Sequence, residues 1–161
     1  MSANKNKTNA MRILDKEQIH YQIHEYDPEN GQIHGNAVAA KINKPAEMVH
    51  KTLVTQGKQG LHIFVIPVGA ELDLKQAARA ASEKKLEMLP VKELQKWTGY
   101  IRGGCSPVGM KKLYPTFIDH RAIQLEQIIV SAGRIGTQIE LHPQELAQVV
   151  QARFEELCMA D

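Results

Sequence analysis

Between Gly99 and Lys112 the chain reads G-Y-I-R-G-G-C-S-P-V-G-M-K-K. The adjacent glycines 103 and 104 loosen the backbone, and Pro107 stiffens it again. A loop of this kind can turn successive N–H groups onto an anion or a developing oxyanion. Lys111 and Lys112 then add charge suited to phosphate. Read as structure alone, the same residues make a tight turn followed by solvated lysines. Cys105, between Gly104 and Ser106, stands where a nucleophile would. A thiol in that role needs a lowered pKa and a general base, and no neighbour in sequence supplies one. His50 and His120 can do so only through tertiary contacts, so a structural cysteine is the favoured reading.

A second candidate lies in V-H-K-T-L-V-T, residues 49–55. Alternation along a strand puts Lys51 on the face of Val49 and Leu53. A lysine on an apolar face needs a route to solvent or an anionic partner, because burying its charge alone is costly. Both readings stay open at this point: a stem that snorkels from a sheet edge, or a cation waiting for a ligand.

Other chemistries find little support. His20 and His24 are four residues apart, but their segment alternates like a strand, where that spacing does not build a metal site. There is no C-x-x-C, no Walker sequence and no G-x-G-x-x-G after a strand, so neither metal nor cofactor is expected. Two cysteines, Cys105 and Cys158, are too few for a disulfide framework and fit a reduced, cytoplasmic setting. No apolar run approaches the roughly 20 residues that span a bilayer, and the opening residues lack the apolar segment of a signal peptide. The formal charge of +2 excludes a polycationic nucleic-acid wrapper, so any phosphate contact must come from a local patch.

The elements that must position these residues can be read in outline. At 161 residues the simplest organisation is one domain over 1–161, with residues 1–7 loose and 159–161 frayed. Thr8 caps a first helix carrying Met11, Leu14 and Ile19 inward. H-Y-Q-I-H sets Tyr21 and Ile23 on one strand face. A small-residue helix spans Ala37 to Ile42, and strands follow over Val49–Thr55 and through the apolar run Ile63–Ile66. Asp73 caps a helix with the stripe Leu74, Ala77, Ala78 and Ala81. Pro90 starts a short helix through Leu94 and Trp97. I-I-V-S and T-Q-I-E-L flank A-G-R-I-G as a hairpin. Pro143 opens a last helix with Leu146, Val149, Val150, Phe154 and Leu157 inward and Cys158 on its apolar flank. Strands and helices interleave without a βαβ rhythm, which predicts an α+β domain: a central mixed sheet surrounded by helices.

Four segments, T-N-A-M-R-I-L (8–14), K-T-L-V (51–54), T-G-Y-I-R-G-G-C-S-P-V-G-M-K-K (98–112) and V-S-A-G-R-I-G (130–136), occur in an order that resembles the YbaK family of free-standing aminoacyl-tRNA deacylases. These are relatives of the editing (insertion) domain of bacterial prolyl-tRNA synthetase, and the likeness runs from about Thr8 to Phe154. It implies the fold of that domain and the removal of cysteine wrongly attached to tRNA(Pro). Cysteine and proline have similar volumes, so one pocket cannot reject the other strongly and a second site must sort the products. The resemblance carries the essential catalytic role to Lys51, and the donors for the oxyanion are expected at N–H groups near Gly104, the second catalytic position. It carries substrate contacts to Tyr26, Thr52, Gly103, Cys105, Ser106, Pro107 and Ser131. It also implies a mechanism in which the substrate's own thiol attacks its ester carbonyl, so that no enzyme nucleophile, metal or cofactor is required, and it names prolyl-tRNA synthetase as a partner. The residue before the lysine, often aromatic in the family, is here His50, which either shapes the pocket or faces away. An alanine-specific deacylase and a non-catalytic tRNA- or nucleotide-binding module remain as alternatives. A thiol redox protein built on Cys105 lacks a resolving partner nearby.

Overall fold

The computed structural model describes residues 7–28 and 35–160. Helix α1 (Asn9–Lys16) starts where Thr8 Oγ1 accepts the Met11 N–H, and it buries Met11 and Leu14. Strand β1 (Gln22–Glu25) follows, then helix α2 (Gly35–Lys41) and a 3₁₀ turn at Ala46–Met48. Strands β2 (His50–Gly57) and β3 (Gly60–Pro67) form a hairpin in continuous register from His50 opposite Pro67 to Gly57 opposite Gly60. Helix α3 (Leu74–Ala80) is capped by Asp73, whose carboxylate accepts the N–H groups of Lys75 and Gln76. Then come β4 (Glu87–Met88), α4 (Val91–Thr98), β5 (Thr116–Asp119) and a 3₁₀ turn at His120–Gln124. The hairpin β6 (Ile128–Arg134) and β7 (Thr137–Leu141), helix α5 (Pro143–Val150) and β8 (Arg153–Glu155) complete the order.

The strands make two sheets rather than one. β1-β7-β6 is antiparallel, and the five-stranded sheet β4-β2-β3-β5-β8 is mixed, with β5 parallel to both β3 and β8. One core lies between them: Val65 and Ile118 from the larger sheet meet Ile128, Val130 and Ile139 from the smaller, with α1 and α5 closing the ends. The outer face of the larger sheet buries Phe64, Ile66 and Phe117 against Ala77, Ala78 and Ala81. These alanines, as the stripe predicts, let α3 approach the sheet. Each large side chain so buried contributes roughly 1.5–3 kcal/mol.

The α+β expectation holds, and so do the Thr8 and Asp73 caps and the β6–β7 hairpin. Several details differ. Leu74 is exposed, and so is Ile23 on β1. The expectation of a loose start falls on residues 1–6, outside the described residues, whereas Lys7 is ion-paired with Asp15. Met159 does not fray, because its N–H donates to the Glu71 carbonyl at 2.8 Å. The last helix ends earlier than its apolar spacing predicts. Gln151 turns left-handed (φ 55°) and the chain enters β8, so Phe154 packs from a strand. Cys158 therefore lies beyond β8, bridged to Leu72. There Asp119, fully buried, accepts the Leu157 N–H at 3.2 Å and the Cys158 thiol at 3.3 Å.

Candidate active site

Among the described residues, the two sheets are hydrogen-bonded to each other at one parallel bridge, Val49 to Ile129. Further along the same edge of β2, Thr55 and Gln56 pair with β4, and the Leu89 N–H donates to the Val54 carbonyl. Between these contacts, among the described residues, Lys51 to Leu53 pair with no second strand. The fork opens there. Two residues beyond the bridge in each strand stand Lys51 and Ser131.

Alternation along β2 separates Lys51 from Thr52. Lys51 opposes Ile66, on the Leu53 side, and its charge is felt at the Cys158 thiol. It is half-buried and has no hydrogen-bond or ion-pair partner among the described residues. Thr52 opposes Val65, on the face that looks into the core between the sheets, and its hydroxyl is buried without a partner. His50 shares that face and is 3% exposed. Its Nδ1 lies 3.0 Å from the Met48 carbonyl and must donate to it, which leaves Nε2 a buried lone pair without a partner. Burial, opposed by that bond and by the charge of Asp119, pulls the His50 pKa down to about 4. The side chain therefore does not face away: it is a neutral acceptor inside the protein.

The glycine loop packs from the other side. Thr98 at the end of α4 accepts the Tyr100 N–H, and the Tyr100 hydroxyl donates to the Val108 carbonyl at 2.6 Å, drawing the ends of the loop together. Gly103 adopts φ +84°, a region costly for side-chain-bearing residues. Gly104 answers a different need. A Cβ there would lie 2.9 Å from the Arg134 carbonyl carbon and the Ile135 nitrogen, so only glycine fits against the β6–β7 turn. Its own N–H is not available to a ligand, because it donates to the Ile101 carbonyl at 2.9 Å. The assignment of donor to Gly104 itself is corrected on that ground. Among the described residues, the next two N–H groups, on Cys105 and Ser106, donate to no protein acceptor although both residues are buried. Consecutive N–H groups without protein acceptors are what an anion-binding nest requires.

The side chains of the loop are occupied elsewhere. Cys105 packs among Val54, Ile63, Leu89 and Tyr100, and burial pushes its thiol up to about 12 against a weaker opposing hydrogen bond from Thr98. The Ser106 hydroxyl accepts the Val108 N–H at 3.2 Å, and Pro107 is buried. On β6, the Ser131 hydroxyl accepts the Gly133 N–H at 3.1 Å, at the start of an irregularity that ends at Arg134. Tyr26, just past β1, donates its N–H to the Gly136 carbonyl, and its buried hydroxyl has no partner. The β6–β7 turn thus gathers Tyr26, Gly103 to Pro107 and Ser131. Thr52 lies on the loop-facing side of β2 and Lys51 on the opposite side.

Asp119 is the most deeply buried of the acids that sequence reasoning missed, with Glu83 and Glu140 in the same class. Its one signal was a carboxylate directly after the apolar run of T-F-I-D. Three histidines take structural roles: His24 pairs with Glu140 at 2.6 Å, His62 with Glu83 at 2.9 Å, and His142 caps α5.

The model of the aminoacyl-tRNA editing domain matches residues 34–149. A curated relative from Enterococcus faecalis, "Putative Cys-tRNA(Pro)/Cys-tRNA(Cys) deacylase EbsC", is 44% identical over 152 residues, covering 94% of this chain and 93% of its own. Two solved structures share the fold. One, described as "a putative trans-editing enzyme for prolyl tRNA synthetase", is 22% identical with a TM-score of 0.84, over 96% of this chain and 99% of its own. The other comes from work on epitope backbone grafting by computational design, at 21% identity and TM-score 0.84, with the same coverage. A family model that spans the fork, the glycine loop and the β6–β7 turn, with a relative so similar along nearly the whole length, leads to one conclusion: the chain belongs to the aminoacyl-tRNA editing domain family.

Proposed function

We propose that this protein is a cytoplasmic trans-editing deacylase that removes cysteine from mischarged tRNA(Pro). The observation that carries the reading is the pair of N–H groups on Cys105 and Ser106 without acceptors among the described residues, held beside a position where only glycine fits against Arg134 and Ile135. Such donors stabilise the oxyanion of a tetrahedral ester intermediate without reorganising as charge develops. The attacking group is the substrate's own thiol. Its sulfur forms a bond to the ester carbonyl carbon, the bond to the ribose oxygen breaks, and that oxygen takes the proton. A four-membered thiolactone leaves, and water opens it.

What the protein supplies is a bent pose and a place for the charge. The side chains around the site support this division of labour. The Cys105 thiol is buried with its pKa near 12, and the hydroxyls of Ser106 and Ser131 each accept a backbone N–H, so none is an activated nucleophile. The partnerless hydroxyls of Tyr26 and Thr52 and the Nε2 of His50 are suited to the polar edges of a bound aminoacyl-adenosine. Lys51, without a partner among the described residues and on the far side of β2 from the glycine loop, is the cation suited to the terminal phosphate, while the oxyanion falls to the Cys105 and Ser106 N–H groups. A relative named for both tRNA(Pro) and tRNA(Cys) is in keeping with recognition directed at the aminoacyl end. Prolyl-tRNA synthetase would then provide tRNA selectivity by holding substrate nearby, since local concentration substitutes for affinity.

The test is release of the amino acid from tRNA(Pro) loaded with cysteine, serine or alanine. Cysteine is expected to leave and serine to stay, because a hydroxyl is the poorer nucleophile; equal rates would refute self-cyclisation. Preferential release of alanine would move the protein to the alanine-specific class. RNA binding with no ester loss above the buffer rate would make it a binding module. Lys51→Ala is expected to remove nearly all turnover.

A further inference from the structure

The protein's modest charge is unevenly distributed. Residues 91–114 hold five basic side chains, Lys92, Lys96, Arg102, Lys111 and Lys112, against the single acid Glu93. From totals of 20 and 18, the rest of the chain keeps fifteen basic and seventeen acidic residues. The positive excess thus falls on α4 and the two flanks of the glycine loop.

These flanks form one continuous surface. The Lys111 ammonium donates to the Lys96 carbonyl at 3.0 Å, the Lys111 N–H to the Thr98 carbonyl, and the Tyr114 hydroxyl to the Trp97 carbonyl at 2.6 Å. The segment after the loop is therefore bound to the C-terminal turn of the helix before it. Large apolar side chains stand out among the cations: Val91 is 58% exposed, Leu113 57%, Ile101 47% and Trp97 39%. The Lys96 ammonium lies 5.4 Å from the centre of the Trp97 ring. An exposed indole beside several cations is what single-stranded nucleic acid uses, bases stacking on the ring and phosphates on the charges.

On the reading of the site given above, we infer that α4 and the flanks of the glycine loop are the landing surface for the acceptor end of the RNA. Lys92, Lys96 and Lys112 meet its phosphates and Trp97 stacks a base of its unpaired 3′ tail. Continuity with the loop decides for RNA over a protein partner. Arg102 immediately precedes Gly103 and Lys111 is bonded to the end of α4, so this face borders the loop that receives the terminal ester. The arrangement lets a protein with a formal charge of only +2 grip a polyanion locally.

The probe is an uncharged acceptor-stem hairpin with its single-stranded 3′ tail. Trp97 is the only tryptophan of the chain, so its fluorescence reports contact directly, and anisotropy of the labelled hairpin gives affinity. The double variant Lys92→Glu, Lys96→Glu is expected to bind roughly 30-fold more weakly at 0.1 M salt and to flatten the salt dependence by about 1.5 in the log–log slope. Trp97→Ala is expected to cost about tenfold with little change of slope. Lys84→Glu with Lys85→Glu, in the cleft of about 570 Å³ beside the β2–β3 turn, serves as a control that leaves binding unchanged. Circular dichroism melts establish that each variant is folded.

Unchanged affinity and slope in the folded double variant would overturn the inference. Equal weakening by the control would overturn it too. The hairpin carries no ester, so these outcomes stand apart from the deacylase reading. That reading is judged on a cysteinyl ester of adenosine, too small to reach α4, which the double variant is expected to cleave at the wild-type rate.

Discussion

Replacing Gly104 with alanine tests the reading of a site built from backbone. The added carbon would lie 2.9 Å from the backbone of Arg134 and Ile135, where ordinary contact begins at 3.4 Å, so loop and hairpin must part by about half an ångström. Neither neighbour is a flexible side-chain end that could swing away. Gly104 is not among the positive-φ glycines, so no backbone strain is mixed into the result. Overpacking of this kind costs about 1–3 kcal/mol, which a domain of ordinary stability survives. Function should suffer more. Losing one oxyanion donor costs about 10²–10³ in kcat, and the Cys105 and Ser106 N–H groups would both move with the loop. We expect the single-turnover rate on Cys-tRNA(Pro) to fall about 100-fold while the urea midpoint shifts only modestly. A folded Gly104→Ala protein with the wild-type rate would show that the reacting carbonyl is not held by this loop.

Two further outcomes concern buried titratable groups. The unfolded chain takes a proton on His50 near pH 6.5, which the folded protein refuses down to about 4. Stability therefore falls as pH drops through that window, by about 3 kcal/mol in total at about 1.4 kcal/mol per pH unit. Urea midpoints between pH 7 and 4 should diverge between wild type and His50→Leu, and parallel curves would contradict the assignment. Cys105, with its thiol near 12, should resist alkylation at pH 8 in the native state. Cys105→Ala should keep most turnover while losing about 1–3 kcal/mol of stability, read from the same melts; a folded but inactive variant would point to an enzyme thiol instead.

Local signals in the sequence reached much of the fold. Thr8 and Asp73 sit before periodic apolar runs, and A-G-R-I-G interrupts two alternating segments, so caps and hairpin could be read directly. The misses come from tertiary override. Leu146, Val149, Val150, Phe154 and Leu157 fit a helix by spacing, but pairing with β5 wins Phe154 for β8. T-F-I-D is too short to declare itself a strand until β3 and β8 flank it. At the site, Gly103 and Gly104 announced a special backbone, and Lys51 stood out as a lysine on an apolar strand face with two readings open. What could not be read was the hydrogen-bond ledger. That the Gly104 N–H returns to Ile101, leaving Cys105 and Ser106 as the donors, depends on the turn's geometry and not on residue type. The burial of His50 likewise depends on which face of β2 meets the second sheet.

The carboxylate of Asp119 has a consequence for biosynthesis. Two of its hydrogen bonds come from Leu157 and Cys158, far downstream of Asp119, and β8 covers the β5 edge only after Glu155 has been made. A nascent polypeptide lacking these residues holds a negative charge with part of its solvation gone, beside a strand edge open to any extended segment. Closure of the larger sheet is therefore a late event, coming as synthesis of this stretch finishes. A bulky insertion just beyond Cys158 would press on the contacts that close the larger sheet.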